Sequence, residues 1–473
     1  MSTHSLLRGT PAGSHSPART SAVPIAVLAV LIFAFLVTGC SQVTDSGSEA
    51  DTASGRPNIV LIMADDVGYE AFGAYGSEQY ETPRIDELAE KGMRFTYAFS
   101  QPLCTPTRVE IMTGRSNIRN YTAFGVLDPG ETTFADVLGE AGYATAAAGK
   151  WQLYGADHYP ERTRGAGTLP AEAGFEEWAL WQVRTRPSRY WQPTLNVNGE
   201  LQPYDAETYG PDVTTDFLLD FIEAHRDGPF FAYYPMNLPH FPFEPTPHSS
   251  SEGQSDQKNF EDMVAYTDHL VGRIADHVDS LGIAEETLII FTGDNGTHRS
   301  LTSRLDGRSI QGGKWTPTEW GMRVPMVARM PGTVPEGATT DALVGFSDVL
   351  PTLAAFGRAD LPAGVSIDGR SFAPVLRGET SEAKDALFSY YWPKPIQQPG
   401  EFADLRFAWD RSYKLYDDGR LYHWAEDSRE TEAIMPGEGS PAEAAAREKL
   451  QAVLDSMPAE PQMLMRPEAS GSR

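Results

Sequence analysis

"RPNIVLIMADDVG", Arg56 to Gly68, carries the largely apolar stretch "NIVLIM", Asn58 to Met63, which runs into two aspartates, Asp65 and Asp66. A run without polar alternation suits a β-strand covered on both faces, as in a parallel sheet. Three more stretches read the same way: Tyr143–Gly149, Pro229–Met236 and Thr287–Gly293. Between them, Thr82–Gly92 and Asp216–His225 have helical spacing. Alternation of this kind predicts an α/β domain with helices on both faces of its sheet. The strands run into polar residues: Asp65 and Asp66, Lys150, Asn237 and His240, and Asp294 and Asn295. Ligands of open α/β sheets bind beyond the carboxyl ends of the strands, so these four ends are expected to meet at one site. A single acidic pair after a strand is ordinarily a helix cap or a solvated turn. Two pairs at matching positions argue for a site, and four oxygen-bearing side chains suit a hard cation, Ca²⁺ or Mg²⁺, better than zinc.

The 473-residue chain has a formal net charge of −27, which argues against nucleic acid or an anionic surface as a partner. An anionic substrate must therefore meet a locally positive pocket. After Arg8 and Arg19, the apolar run Val23–Val37 is shorter than the roughly 20 residues of a membrane span and fits a signal-peptide core over residues 1–39. "VTGC", Val37–Cys40, resembles a bacterial lipobox, which implies a lipid on Cys40 at the mature N-terminus. An uncleaved anchor helix is the other reading. Both place an exported body on a membrane, at the bacterial periplasm or cell surface, behind a polar tether over residues 40–55 that reaches roughly 20 Å.

Cys104 is the only other cysteine. With Cys40 lipidated it has no disulfide partner, so it is either a reactive or modified thiol or a buried structural one. It opens "CTPTRVEIMTG", in which Val109, Ile111 and Met112 predict a short helix entering the core. The start of a helix favours a bound anion, and Arg108 adds a permanent positive charge.

"CTPTRVEIMTG", together with "RPNIVLIMADDVG", "GKWQL", "LPHFP", "TGDNGTH" and "GGKWTPTEWGMRVPMVARMPG", resembles the type I sulfatases of the alkaline-phosphatase superfamily. The resemblance implies a large mixed, mostly parallel sheet sandwiched by helices, with a small C-terminal antiparallel-sheet subdomain. It also implies that a maturation enzyme oxidises Cys104 to formylglycine. A hydrated aldehyde carries two hydroxyls on one carbon: one attacks sulfur and expels the alcohol, and the other loses its proton, reforms the carbonyl and expels sulfate. A sulfated serine has no such exit. Carried over residue by residue, Asp65, Asp66, Asp294 and Asn295 would bind the cation together with the oxygen at residue 104. Arg108 would hold the formylglycine, Lys150 and Lys314 would clamp sulfate oxygens, and His240 would donate a hydrogen bond to the sulfate or a proton to the leaving oxygen. The implied substrate is a sulfated small molecule or glycan. Relatives with the same motif cleave phosphonate or phosphate esters, which is the enzymatic alternative; a non-enzymatic lipoprotein that binds sulfated glycans is the other.

One position departs from the family pattern. Where many sulfatases have Gly-Lys-x-His, this chain has "GKWQ", and Gln152 can neither carry a proton nor a positive charge at neutral pH. His298, in "DNGTH", is a candidate for the missing base or for substrate contact. Residues 152–210 interleave Trp178, Trp181, Tyr190 and Trp191 with Arg184, Arg186 and Arg189. That composition suits either a sulfated sugar or the packing of a long insertion onto the domain. The catalytic domain is expected over 56–375. A C-terminal subdomain follows over 376–457, built from "ALFSYYW", "LRFAWDRSYKLYDDGRLYHW" with a turn at Asp417–Arg420, and the helix "PAEAAAREKLQAVLDSM". Residues 458–473 read as a loose tail.

Overall fold

The computed structural model describes residues 55–250, 253–392 and 404–462. The signal segment, Cys40 and the tether up to residue 54 lie outside the described residues.

The strands are β1 (Asn58–Ala64), β2 (Met93–Phe99), β3 (Ala144–Lys150), β4 (Glu177–Trp181), β5 (Thr194–Val197), β6 (Glu200–Pro203), β7 (Phe230–Pro235), β8 (Thr287–Gly293), β9 (Thr302–Leu305), β10 (Arg308–Gln311), β11 (Arg323–Val324), β12 (Met326–Arg329), β13 (Ala338–Gly345), β14 (Leu387–Tyr391), β15 (Leu405–Trp409), β16 (Lys414–Tyr416) and β17 (Leu421–Tyr422). The large sheet runs β11-β2-β12-β8-β1-β7-β3-β4-β5-β6, with β13 on β2. Its central five strands, β8-β1-β7-β3-β4, are parallel. Antiparallel pairing enters on both sides, through β12 on β8 and β5 on β4. The sheet is therefore mixed: the apolar runs lie in its parallel centre, and β13 adds a further parallel pairing on β2.

β1 shows why. Ile59, Leu61 and Met63 pack into the core on one face, Val60, Ile62 and Ala64 into the core on the other, and all six are fully buried. Truncating such a residue to Ala costs roughly 2–5 kcal/mol, so the central strands hold their ends firmly in place. Helices cover both faces. Pro83–Glu90, Gly210–His225 and Asp256–Ser280 contribute to one core, Phe134–Glu140 and Val349–Gly357 to the other. The helix expected over Asp216–His225 begins earlier, at Gly210, with Pro211 in its first turn, a position where the missing N–H costs nothing.

In-register pairing brings the strand ends together. Ala64 of β1 lies opposite Gly293 of β8, and Met63 opposite Pro235 of β7. β3 closes on β7 so tightly that a Cβ on Gly149, at φ 117°, would stand 2.1 Å from the Pro235 carbonyl oxygen. Only glycine fits there.

β14–β17 form a four-stranded antiparallel sheet, with the Asp417–Arg420 turn between β16 and β17. Leu450 and Leu454 of the helix Pro441–Ser456 pack on one face of it, while Tyr391, Phe407 and Trp409 on the other face pack on Phe99 and Leu103. The subdomain thereby buttresses the loop that leads into Cys104. Tyr391 also donates its hydroxyl to the Trp315 carbonyl at 3.0 Å. In the segment expected as a tail, the Gln462 N–H donates to the Ile118 carbonyl at 2.8 Å.

Candidate active site

The ends of β1 and β8 set the floor of the site. Asp65, Asp66, Asp294 and Asn295 are all fully buried. Asp66 sits in the left-handed region at φ 65°, an uncommon conformation for a residue with a Cβ. Its N–H donates to Asp294 Oδ1 at 3.0 Å, and Asn295 Nδ2 donates to Asp66 Oδ1 at 2.9 Å. The turn thus welds two strand ends that lie 228 residues apart in the chain.

Cys104 is the first residue of the helix Cys104–Thr113, whose N-terminus has no side-chain cap. Its Sγ lies 3.4 Å from Asp65 Oδ1 and 3.4 Å from Asp66 Oδ1. One turn on, Arg108 is buried, donating to Asp294 Oδ2 at 3.1 Å and to the Lys150 carbonyl at 3.0 Å. The helix stops at Gly114, at φ 66°, where a Cβ would crowd Leu350 at 3.1 Å. Burial, then the Asp294 charge, pushes the Cys104 thiol well above its usual range. An unmodified thiol here stays protonated and is a poor nucleophile.

Three cationic or imidazole groups complete the ring. Lys150 Nζ bonds both Asp65 oxygens, at 2.8 and 2.7 Å. Lys314 Nζ bonds Asp66 Oδ2. His240 Nε2 lies 3.4 Å from the same oxygen. Arg189 Nη2 lies 2.9 Å from His240 Nδ1, which also contacts the Phe241 carbonyl, so both neighbours hold the ring with Nε2 toward the carboxylates. Burial holds His240 well below its usual pKa against the pull of Asp66 and Asp65.

These residues fit a hard divalent cation. Burial opposes ionisation of Asp65, yet Lys150, His240 and Arg108 keep its carboxyl well below the usual range. Asp294 goes the other way: burial, followed by the Asp65 charge, pushes it up to about 7 despite its contact with Arg108. Buried carboxylates whose charges raise one another's pKa, as Asp65 and Asp66 do for Asp294, are mutually repulsive, and a cation beside them relieves that. Asn295 points to the same conclusion, because its Nδ2 is used while its buried Oδ1 has no hydrogen-bond partner among the described residues. Asp65, Asp66, Cys104 and His240 each offer a ligand atom within 4.8 Å of one another.

Above this floor opens a cavity of about 780 Å³. Of the residues expected at the site, Cys104, Lys150, Gln152, His240, His298 and Lys314 line it. Gln152 and His298 do so without a hydrogen bond to the carboxylates; His298 Nδ1 is engaged by Ser300 Oγ at 2.8 Å. The aromatics of the insertion divide. Trp178, Trp181 and Trp191 each donate their indole N–H to the protein, to Asn196 Oδ1, the Pro187 carbonyl and the Pro245 carbonyl, which is packing. Trp181 also lines the cavity and lies 4.5 Å beneath the Arg189 guanidinium. The sequence alone did not single out Tyr159, whose hydroxyl accepts from Gln182 Nε2 at 2.8 Å at the cavity wall, nor Trp315. Tyr159 lies in a Gly- and Pro-rich loop that has no periodicity to read.

Comparison with known proteins shows the family. The family described as Sulfatase matches residues 57–357, and the family described as N-sulphoglucosamine sulphohydrolase, C-terminal, matches residues 314–458. The chain is 34% identical to human Arylsulfatase A over 389 residues, 73% of each protein. It is 30% identical to the N-acetylgalactosamine-6-sulfatase of Canis lupus familiaris over 414 residues, 79% of this chain and 76% of that one. A solved structure, described as in complex with its substrate D-glucosamine-2-N,6-O-disulfate, superposes with a TM-score of 0.68 at 20% identity, covering 85% of this chain and 97% of the other, which shows the shared fold. With its buried carboxylates gathered around the first residue of the Cys-x-Pro-x-Arg helix, the chain belongs to the sulfatase family of the alkaline-phosphatase superfamily and is a sulfuric ester hydrolase.

Proposed function

We propose that the protein hydrolyses sulfate esters of a sulfated carbohydrate, using a formylglycine made from Cys104 and a hard divalent cation, Ca²⁺ or Mg²⁺. The observation that carries this reading is the placement of Cys104 Sγ 3.4 Å from two carboxylates at an uncapped helix start, where the thiol itself stays protonated. The names of the relatives, an N-acetylgalactosamine-6-sulfatase and a structure holding a disulfated glucosamine, support a sugar substrate.

Asp65, Asp66, Asp294 and Asn295 would hold the cation, which when bound neutralises charge on the sulfuryl group and favours ionisation of the attacking hydroxyl. A hydrated aldehyde at residue 104 would supply that hydroxyl and a second one for the release of sulfate. The chain's own side chains do the rest. Lys150 and Lys314 line the cavity beside Cys104 and have ammonium donors to spare for sulfate oxygens. His240, whose Nε2 faces the carboxylates, would donate a hydrogen bond to the sulfate or a proton to the leaving oxygen. Arg108 is anchored at both ends of its guanidinium and positions residue 104.

Two measurements on one preparation test this. Mass spectrometry of the peptide spanning residue 104 should show the aldehyde in place of the thiol. Matched aryl sulfate, phosphate diester and phosphonate esters should then be compared, with aryl sulfate expected to be turned over fastest. A thiol at residue 104 in fully active protein, or faster turnover of the phosphorus esters, would overturn the reading.

A further inference from the structure

A sulfate group over Cys104 occupies only the floor of the 780 Å³ cavity, whose size falls among pockets that take whole drug-sized ligands, roughly 300–1,000 Å³. The cavity's charge is unlike that of the rest of the chain. The protein carries 65 acidic residues against 38 basic ones, yet among the described residues none of the 19 that line the cavity is acidic and five are Lys or Arg. Lys150 and Lys314 belong to the floor. The three arginines come from the segment between β3 and β5.

Those arginines are not equivalent. Arg189 is buried and spent, stacked on Trp181 at 4.5 Å and donating to His240 and to the Phe241 carbonyl. Arg184 of the same segment stays out of the lining: it stacks on Tyr154 at 4.7 Å and donates to that hydroxyl at 3.1 Å. Arg164 and Arg186 remain. Both are exposed at the cavity, and neither has an ion pair among the described residues. Arg164 spends one donor on the Tyr159 carbonyl, at 3.2 Å, which holds it against the wall; Arg186 makes no hydrogen bond among the described residues. Arg186 lines the cavity together with His158, Tyr159 and Arg164. In a chain with so large an excess of acid, two unpaired guanidinium forks over one pocket are a recognition element for a second anion.

We propose that Arg164 and Arg186 form a second anion subsite, which takes a further sulfate or a carboxylate on the same saccharide whose sulfate ester lies over Cys104. This rests on the sulfatase reading above and narrows the substrate to a saccharide with at least two anionic groups. The shared chemistry is an oxyanion with several acceptor oxygens, held at the rim while the scissile group is held at the floor.

Calorimetric titration at low ionic strength with α,ω-alkanedisulfonates and alkane monosulfonates of matched length tests it without turnover. One spacer length should bind roughly tenfold tighter as the disulfonate, with the advantage shrinking as salt is added. In the double variant Arg164→Ala/Arg186→Ala that advantage should fall to about onefold, and in Arg164→Lys/Arg186→Lys part of it should persist. An ω-sulfonatocarboxylate series, run in parallel, tells a carboxylate ligand from a sulfate. Disulfonates that bind no tighter than monosulfonates at any length, or an advantage that survives the double alanine variant, would overturn the subsite. Aryl sulfate hydrolysis by the same wild-type preparation is measured separately: its absence would count against the sulfatase reading, while the titrations still decide the subsite.

Discussion

Gln152 and Gln182 turn left-handed side by side, at φ 59° and 57°, just beyond the ends of β3 and β4, and the Gln152 N–H donates to the Gln182 carbonyl at 3.2 Å. Left-handed backbone at a non-glycine residue costs on the order of 1–3 kcal/mol and persists only where its surroundings enforce it. Here the enforcement ends at one atom: Gln182 Nε2 donates to the Tyr159 hydroxyl at 2.8 Å, and the Gln152 amide acts on the same group. Gln152 Oε1 is left buried without a partner among the described residues. This is the position where the family resemblance leads one to expect histidine.

If the Gln152 amide orients a reacting oxygen, Gln152→Ala should lower kcat roughly 10- to 1000-fold, the range for loss of one well-placed donor or acceptor. Gln152→His should introduce or shift an acidic limb in the pH–rate profile near the histidine pKa. Wild-type kinetics from both variants between about pH 5 and 9 would show that the side chain only fills space.

Cys104→Ser should complete at most one slow sulfate transfer per enzyme and then stall, because a sulfated serine has no elimination route. Pre-steady-state release of the aryl alcohol checks this. Sustained turnover near the wild-type rate would rule out the aldehyde chemistry.

Removal of divalent cation should abolish activity and leave the far-ultraviolet circular dichroism nearly unchanged, since β1 and β8 are buried along their whole length. Adding the cation back should raise Tm in a concentration-dependent way, as binding to the native state requires. Asp294→Ala should lose activity at every cation concentration. Full kcat in chelated protein would remove the metal from the mechanism.

A pH effect on stability is expected away from the carboxylate cluster. Glu70 is buried and pushed up to about 7 by that burial, only partly offset by the hydrogen bond from Thr297, at 2.5 Å. A carboxyl with a raised folded pKa stabilises fully below its ordinary value near 4.5, and that contribution is lost as pH rises through about 7. Glu70→Gln, which mimics the protonated form, should therefore gain Tm relative to wild type as pH goes from 5 to 8, by up to about 3 kcal/mol in stability. A difference in Tm that does not change with pH would refute the assignment.

The helix start at Cys104 and the four buried central strands were legible because each is a local pattern: an apolar run with a polar end, or a short motif of fixed spacing. A parallel strand buried on both faces writes its identity into consecutive residues, as Ile59 to Ala64 do. The clustering of strand-end residues followed from the same rule, since neighbouring parallel strands present their carboxyl ends on one side. Other features have no local signature. The antiparallel additions β5, β6 and β12 are short, and their pairing depends on which edge is free once the central strands have packed.

The roles of the insertion's arginines were equally closed to the sequence, which showed Arg184, Arg186 and Arg189 within six positions and no difference among them. Tertiary structure decided that Arg189 buttresses His240, that Arg184 lies on Tyr154, and that Arg164 and Arg186 stand over the cavity without an ion pair among the described residues. The physical reason is that a guanidinium's function is set by the acceptors and rings that long-range packing brings within about 3–6 Å of it, and those neighbours come from distant parts of the chain.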